Sequence, residues 1–247
     1  MAAVVGSLVP VASHSSPALD RHQRIVRVPR LVLWAWERPE DLRFLPANVG
    51  VAFLAGTVDL REGRADYHPR RQPLRIGPET RLVAVIRIEA EDSQLDSEQV
   101  QKTAAAIVRA SSLPRVAGLQ IDFDATASER GFYSQLLAEV RRKIPPSMPI
   151  SITALASWCI GDDWIGGLPV DEAVPMLFRL GTGQNEVTSW IGSERDFREP
   201  LCRDSLGISL DEPWRALPAD RRVYAFSPKP WTENSFAALA LEMNSWH

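Results

Sequence analysis

The stretch Gly118-Leu-Gln-Ile-Asp-Phe-Asp124 decides how this chain folds. Read as a strand, it sends Leu119, Ile121 and Phe123 to one side and Gln120, Asp122 and Asp124 to the other, because strand side chains alternate with period two. One face is therefore apolar, and the other carries two carboxylates at its far end. A helix follows at once: Ser128 is predicted to cap it, and Phe132, Leu136, Leu137, Val140 and Ile144 recur at helical spacing. A strand feeding a helix is the βα unit of a parallel sheet, which is normally covered on both faces. Acids in such a place need an arginine partner, a loop to cap or a chemical role.

Strand-like apolar runs recur along the chain at 31–36, 49–55, 81–89, 116–124, 149–158, 173–180, 206–211 and 223–227. A helix is predicted over 97–112 from Val100, Ala104, Ile107 and Val108, and another after Thr232 from Phe236, Leu239, Ala240 and Met243. Eight β units with helices between several of them fit an α/β fold, a somewhat irregular (β/α)8 barrel forming a single domain over residues 31–247. Two connections depart from the pattern: 61–78 reads as a loop or hairpin excursion, and 181–205 is long. Residues 1–30 are predicted to be a tail or a degenerate signal region. The run from Ala2 to Ala12 ends in small residues but has no basic residue ahead of it and is interrupted by Pro10. The basic cluster from Arg21 to Arg30 reads as a solvated arm.

At 247 residues and 45% hydrophobic content the chain can bury a sizeable core. A net charge of -3 with 28 dispersed basic residues gives no nucleic-acid footprint. No apolar run reaches the roughly 18 to 20 residues of a membrane span. Cys159 and Cys202 fall in loops at the same end of such a barrel, where either a disulfide or two reduced thiols fits. Location is correspondingly read as periplasmic or secreted, with the cytoplasm as the alternative.

The alternation test extends to other strands. Arg87 and Glu89 share a face opposite Ile86 and Ile88. Ser151, Thr153 and Ser157 oppose Ile150, Ile152 and Ala154, and Ser209 with Asp211 opposes Ile208 and Leu210. If the polar faces look inward, Arg87, Glu89, Asp122, Asp124, Arg179, Asp211 and Glu212 converge at the C-terminal mouth, where barrels of this kind keep their active sites. Tryptophans at strand ends, Trp36, Trp158 and Trp231, offer flat apolar faces on which sugars could stack. The histidines, His14, His22, His68 and His247, end none of these strands, so histidine catalysis and His-ligated metals are not expected. Gly181-Thr-Gly183 is a weak anion-loop signal. Carboxylates from Asp122, Asp124 and Asp211 could hold Mg²⁺ or Ca²⁺, but the arginines oppose it, so no metal and no cofactor are expected. Carboxylate chemistry without histidine or metal points to cleavage of glycosidic bonds, with a carbohydrate as partner.

The motif 118–124, the Phe132-x-x-x-Leu136-Leu137 helix and Pro149-Ile-Ser-Ile-Thr-Ala154 together resemble the fourth and fifth strands of chitinase-type glycoside hydrolase barrels, whose motif is Asp-Gly-x-Asp-x-Asp-x-Glu. The resemblance sets Asp122 on the final Asp and Asp124 at the place of the catalytic Glu, and it likens Trp231 to the tryptophan flooring the sugar site. Ala117 and Gln120 stand where that motif has acids. Longer stretches, Leu33 to Leu45, Asp171 to Arg179 and Gly207 to Pro213, resemble bacterial proteins classed as domain of unknown function 3142 or a near relative. These resemblances imply a glycosidase-like barrel with Asp124 as general acid, Asp122 tuning its charge, and Asp211 or Glu212 as second carboxylate. Arg87, Arg179, Glu89, Trp36, Trp158 and Trp231 would then contact substrate. The rival expectation is a non-catalytic glycan or cell-envelope binding protein with a degenerate pocket.

Overall fold

The computed structural model describes residues 17–91, 94–181, 185, 187, 189–190, 196–212 and 220–244. His14, His247, Gly183, Pro213 and the proposed signal segment 2–12 lie outside the described residues. Strands β1 (Leu31–Ala35), β2 (Glu40–Leu42), β3 (Val49–Arg61), β4 (Arg64–Pro69), β5 (Leu74–Ile76), β6 (Leu82–Ala90), β7 (Val116–Asp122), β8 (Ile150–Leu155), β9 (Glu172–Met176), β10 (Ser205–Ser209) and β11 (Arg222–Phe226) are accompanied by helices α1 (Pro17–Ile25), α2 (Ser97–Ser111), α3 (Arg130–Lys143), α4 (Ala156–Ile160) and α5 (Glu233–Asn244). Eight strands pair in parallel around a closed ring, β1-β3-β6-β7-β8-β9-β10-β11 and back to β1. The fold is thus a (β/α)8 barrel, and its strands are the eight apolar runs of the sequence.

Three local differences have physical causes. The second barrel strand runs on to Arg61 because 61–78 supplies it with an antiparallel partner, β4, across a turn in which Glu62 and Gly63 both have positive φ (52° and 69°). Trp158, placed in a strand by its apolar neighbours, instead sits on the short helix α4. The cap of the fourth βα unit is Thr126 rather than Ser128: the Glu129 carboxylate accepts from the Thr126 backbone N–H (2.6 Å) and hydroxyl (2.8 Å), a capping box that leads through one 3₁₀ turn into α3.

Alternation divides the apolar residues into two cores. Leu33, Ile86, Leu119, Ile121, Ile152 and Ile208 face outward and pack under the helices, with Leu136, Leu137 and Val140 of α3 among their partners. Val32, Trp34, Ala52, Val83, Val85, Val174 and Tyr224 fill the barrel interior together with Ile25 and Val28. The basic segment read as a solvated arm therefore behaves differently. Helix α1 and the turn after it close the N-terminal end of the barrel, where Arg222 donates to the carbonyls of Ile25 and Pro29 and Arg24 pairs with the fully buried Asp171. Arg141 donates to the same carboxylate at 2.7 Å. Glu172, also fully buried, accepts from Arg222 and from the Tyr224 hydroxyl, each at 2.6 Å. Buried charges of this kind persist because each is matched and hydrogen-bonded.

Cys159 in α4 and Cys202 are joined as a disulfide, their Cα atoms 5.8 Å apart and 43 residues apart in sequence. Constraining an unfolded loop of that length is worth about 2–4 kcal/mol. Cys202→Ala should therefore lower the stability measured by denaturant unfolding by about that amount, and reductant should remove the difference from wild type. Equal stability of variant and wild type under oxidising conditions would contradict the bond's structural role.

Candidate functional site

At the C-terminal ends of the barrel strands lies a pocket of about 570 Å³. Its polar lining comes from Arg87 of β6, Asp122 and Asp124 at the end of β7, Thr153 of β8 and Arg179 beyond β9; its apolar lining includes Trp34, Trp36, Met176, Phe178 and Phe226. The alternation that sends Leu119 and Ile121 to the outer core sends Gln120 and Asp122 inward. Gln120 is fully buried and crosses the barrel: its carbonyl oxygen accepts from Trp34 Nε1 at 2.7 Å, and its amide donates to Ser151 Oγ at 3.1 Å. Trp34 can lie across the axis because Gly207 faces it; a Cβ at that position would come within 2.9 Å of the indole.

Asp122 stands one pleat above Gln120. Thr153 donates its hydroxyl to Asp122 Oδ1 at 2.8 Å, and Arg87 lies 3.8 Å from Oδ2. Burial pushes the Asp122 carboxyl above the ordinary range; Thr153 and Arg87 oppose that rise, while the negative charges of Asp124 and Glu89 reinforce it. Asp124, at the open end, is also raised by desolvation against the pull of Arg87. Among the described residues it makes no hydrogen bond or ion pair, whereas Arg87 is engaged at 2.8 Å by Glu89 on the exposed rim.

Most of the remaining sequence candidates lie around this pocket rather than in it. Asp211 and Glu212 follow β10 at the same end but are not part of the lining. Ser209 donates its hydroxyl to Asp211, which holds that carboxyl below its usual range, and both Glu212 oxygens accept from the Arg179 backbone N–H at 3.1 Å. Trp231 is 4% exposed, with its indole N–H given to the Trp34 carbonyl and its backbone N–H to Glu40, so it is a core residue and offers no stacking face. Trp158 is likewise buried, edge-on to Trp164 at 4.9 Å. Trp36 does line the pocket, packed edge-on against Phe226.

Phe178 and Phe226 were not singled out in the sequence. They stack in parallel, with centroids 5.8 Å apart and planes within 6°, and with Trp36 they form the aromatic wall. Strand parity held a signal for both: Phe226 follows Tyr224 on the inward face of β11, and Phe178 continues the alternation of Val174 and Met176 within the run 173–180. Arg70, also missed, leaves the hairpin excursion to donate to the carbonyls of Ala35, Trp36 and Arg38 at 3.1, 2.5 and 2.6 Å. One guanidinium thus fixes the loop that carries Trp36, using the multiple fixed donors that arginine offers and lysine does not. Among the described residues no group of three His, Cys, Asp or Glu side chains is arranged to hold a metal ion. A pair of raised carboxyls beside an arginine and an aromatic wall is suited to binding a sugar and delivering a proton to it.

The family model described as "Domain of unknown function (DUF3142)" matches residues 79–174, which run from just before β6 into β9. No curated protein matches the chain. Among solved structures, the chain is similar to a family GH18 chitinase from Chromobacterium violaceum, with 12% identity, a TM-score of 0.49, and coverage of 88% of this chain and 86% of that one. It is also similar to the spore cortex-lytic enzyme SleL of Bacillus cereus, with 18% identity, a TM-score of 0.48, and coverage of 87% of this chain and 58% of that one.

Arg87 lowers the pKa of both pocket acids, so Arg87→Gln should move the titration of the Asp122 and Asp124 carboxyl carbons, followed by NMR, to higher pH. Both groups are raised by folding, so their ionisation costs stability as pH rises through the folded pKa values. The variant should enlarge that loss. Unmoved midpoints would show that Arg87 does not act on these acids.

Proposed function

We propose that this protein is a glycoside-hydrolase-like enzyme that binds a glycan against Trp36, Phe178 and Phe226 and cleaves it with Asp124 as general acid. The observation that carries this reading is the unpaired Asp124 carboxyl, raised by desolvation and opening into the pocket beside the buried Asp122. A carboxyl raised above its ordinary range holds its proton to higher pH and can give it to a glycosidic oxygen as the bond breaks. Once Asp124 has lost the proton, Arg87 is placed to stabilise the new negative charge. Water completes the hydrolysis. Neither acid considered for its activation lines the pocket, Glu212 being taken up by the Arg179 amide and Asp211 by the Ser209 hydroxyl, so the Asp124 carboxylate formed in the first step is the base that takes the water's proton. The motif resemblance over 118–124 supports the same assignment, with Asp124 in the acid's position.

A second reading has its own support. Asp122 is engaged by Thr153 and Arg87, and Asp211 and Glu212 stand outside the lining, so a single uncommitted acid faces the pocket. That arrangement favours a glycan or cell-envelope binding protein. Either role fits a periplasmic or secreted setting, which the disulfide supports, because such bonds persist in oxidising compartments. Among the described residues no helix is long and apolar enough to cross a membrane.

Asp124→Asn separates the two roles. Tested on a polysaccharide panel, it should cost about 100- to 10,000-fold in hydrolysis while glycan binding persists, because the amide keeps size and polarity but has no proton to deliver. Trp36→Ala should weaken binding first, since it removes a stacking face. Wild-type protein that binds glycans and hydrolyses none would replace the enzyme reading with the binding one.

A further inference from the structure

Arg179 is the pocket's second cation, and its surroundings differ from those of Arg87. The Arg87 guanidinium is matched by Glu89 at 2.8 Å and faces Asp122 at 3.8 Å. The Arg179 guanidinium makes no hydrogen bond or ion pair among the described residues. It lies over the Phe226 ring, 5.2 Å from its centroid, at the pocket wall. Asp211 is near enough to feel its charge but spends its hydrogen bond on Ser209.

The backbone is arranged for this placement. Arg179 has φ +54°, a conformation costly for a residue with a side chain, and both oxygens of Glu212 accept from its N–H. A strained residue held from behind by a carboxylate, with its guanidinium lying over an aromatic ring, keeps the in-plane N–H edge without a protein partner among the described residues. That edge is the part of a guanidinium that pairs with a carboxylate through two parallel hydrogen bonds. The ring that supports it, Phe226, belongs to the aromatic wall on which a sugar would stack.

We propose, resting on the glycan reading above, that the pocket selects an acidic glycan, in which a uronic-acid carboxylate pairs with Arg179 while its sugar ring lies on Phe178 and Phe226. The anionic residue then sits on the β9 side, away from Asp122 and Asp124 at the end of β7. Neutral sugars use the same wall but leave Arg179 without a partner.

The test is calorimetric titration of the full chain with oligouronides of several backbones, each compared with its own methyl ester, which keeps the ring and removes the charge. Wild type should bind the acid about 10- to 100-fold more tightly than the ester, the range expected for hydrogen bonds to a charged group. Added salt should narrow that ratio. Arg179→Gln should collapse the ratio towards one. Arg179→Lys should leave an intermediate ratio, because it keeps the charge and loses the fork. Acid and ester binding alike to wild type, or a preference that survives Arg179→Gln, would overturn the acidic specificity while leaving the glycan reading in place. Tighter binding of sulfated oligosaccharides than of any uronide would overturn the carboxylate assignment. If no oligosaccharide of either charge binds, the glycan reading itself fails, and this inference fails with it.

Discussion

The hydrogen-bonded chain from Trp34 through Gln120 to Ser151 is the constraint around which the barrel interior is built. A closed ring of strands must fill its own centre, and here the filling is a tryptophan laid across the axis with a fully buried amide to receive its N–H. An unpartnered Gln120 would cost about 1–3 kcal/mol, and it would leave the indole N–H unmatched as well. Satisfied as it is, Gln120 fixes which residues of β7 look inward. It therefore fixes Asp122 one pleat above. Gly207 gives the indole its room, so the sequence of β10 serves the same crossing.

The two ends of the barrel treat their acids in opposite ways. At the N-terminal end Asp171 and Glu172 are fully buried and matched by Arg24, Arg141, Arg222 and Tyr224. Removing one member of such a cluster typically costs about 3–5 kcal/mol, since its partner is left charged and dry. These residues hold the plug α1 against the strands and have no opening to a ligand. At the C-terminal end Asp122 is partly compensated and Asp124 faces the pocket unpaired. In barrels of this kind active sites are built at the C-terminal face, while the N-terminal face serves stability.

Strand parity made most of the barrel legible in advance. The eight apolar runs are the eight barrel strands, and the inward placement of Arg87, Asp122 and Thr153 follows from counting by twos. The count fails where the chain leaves regular structure. Trp158 continues an apolar run, but its backbone has already turned into α4, and Trp231 lies past the end of β11, where burial is decided by the distant Glu40 and the Trp34 carbonyl. The same limit hid Arg70, whose role comes from contacts across more than 30 residues of sequence. The basic segment before β1 misled for a different reason. Its charges looked solvated, and only the buried acids of β9's leading edge reveal that Arg24 has a partner inside the fold.

The most direct measurement of the central claim is the pH dependence of kcat/KM on a hydrolysed glycan, set beside the titration of the Asp124 carboxyl in the free protein. An acid that must be protonated gives a rate that falls tenfold per unit above its pKa. The account predicts a falling alkaline limb whose midpoint coincides with the Asp124 titration, above the usual carboxylate range. A profile flat through that midpoint, or one whose limb is unmoved in Asp124→Asn, would contradict the assignment of Asp124 as the acid.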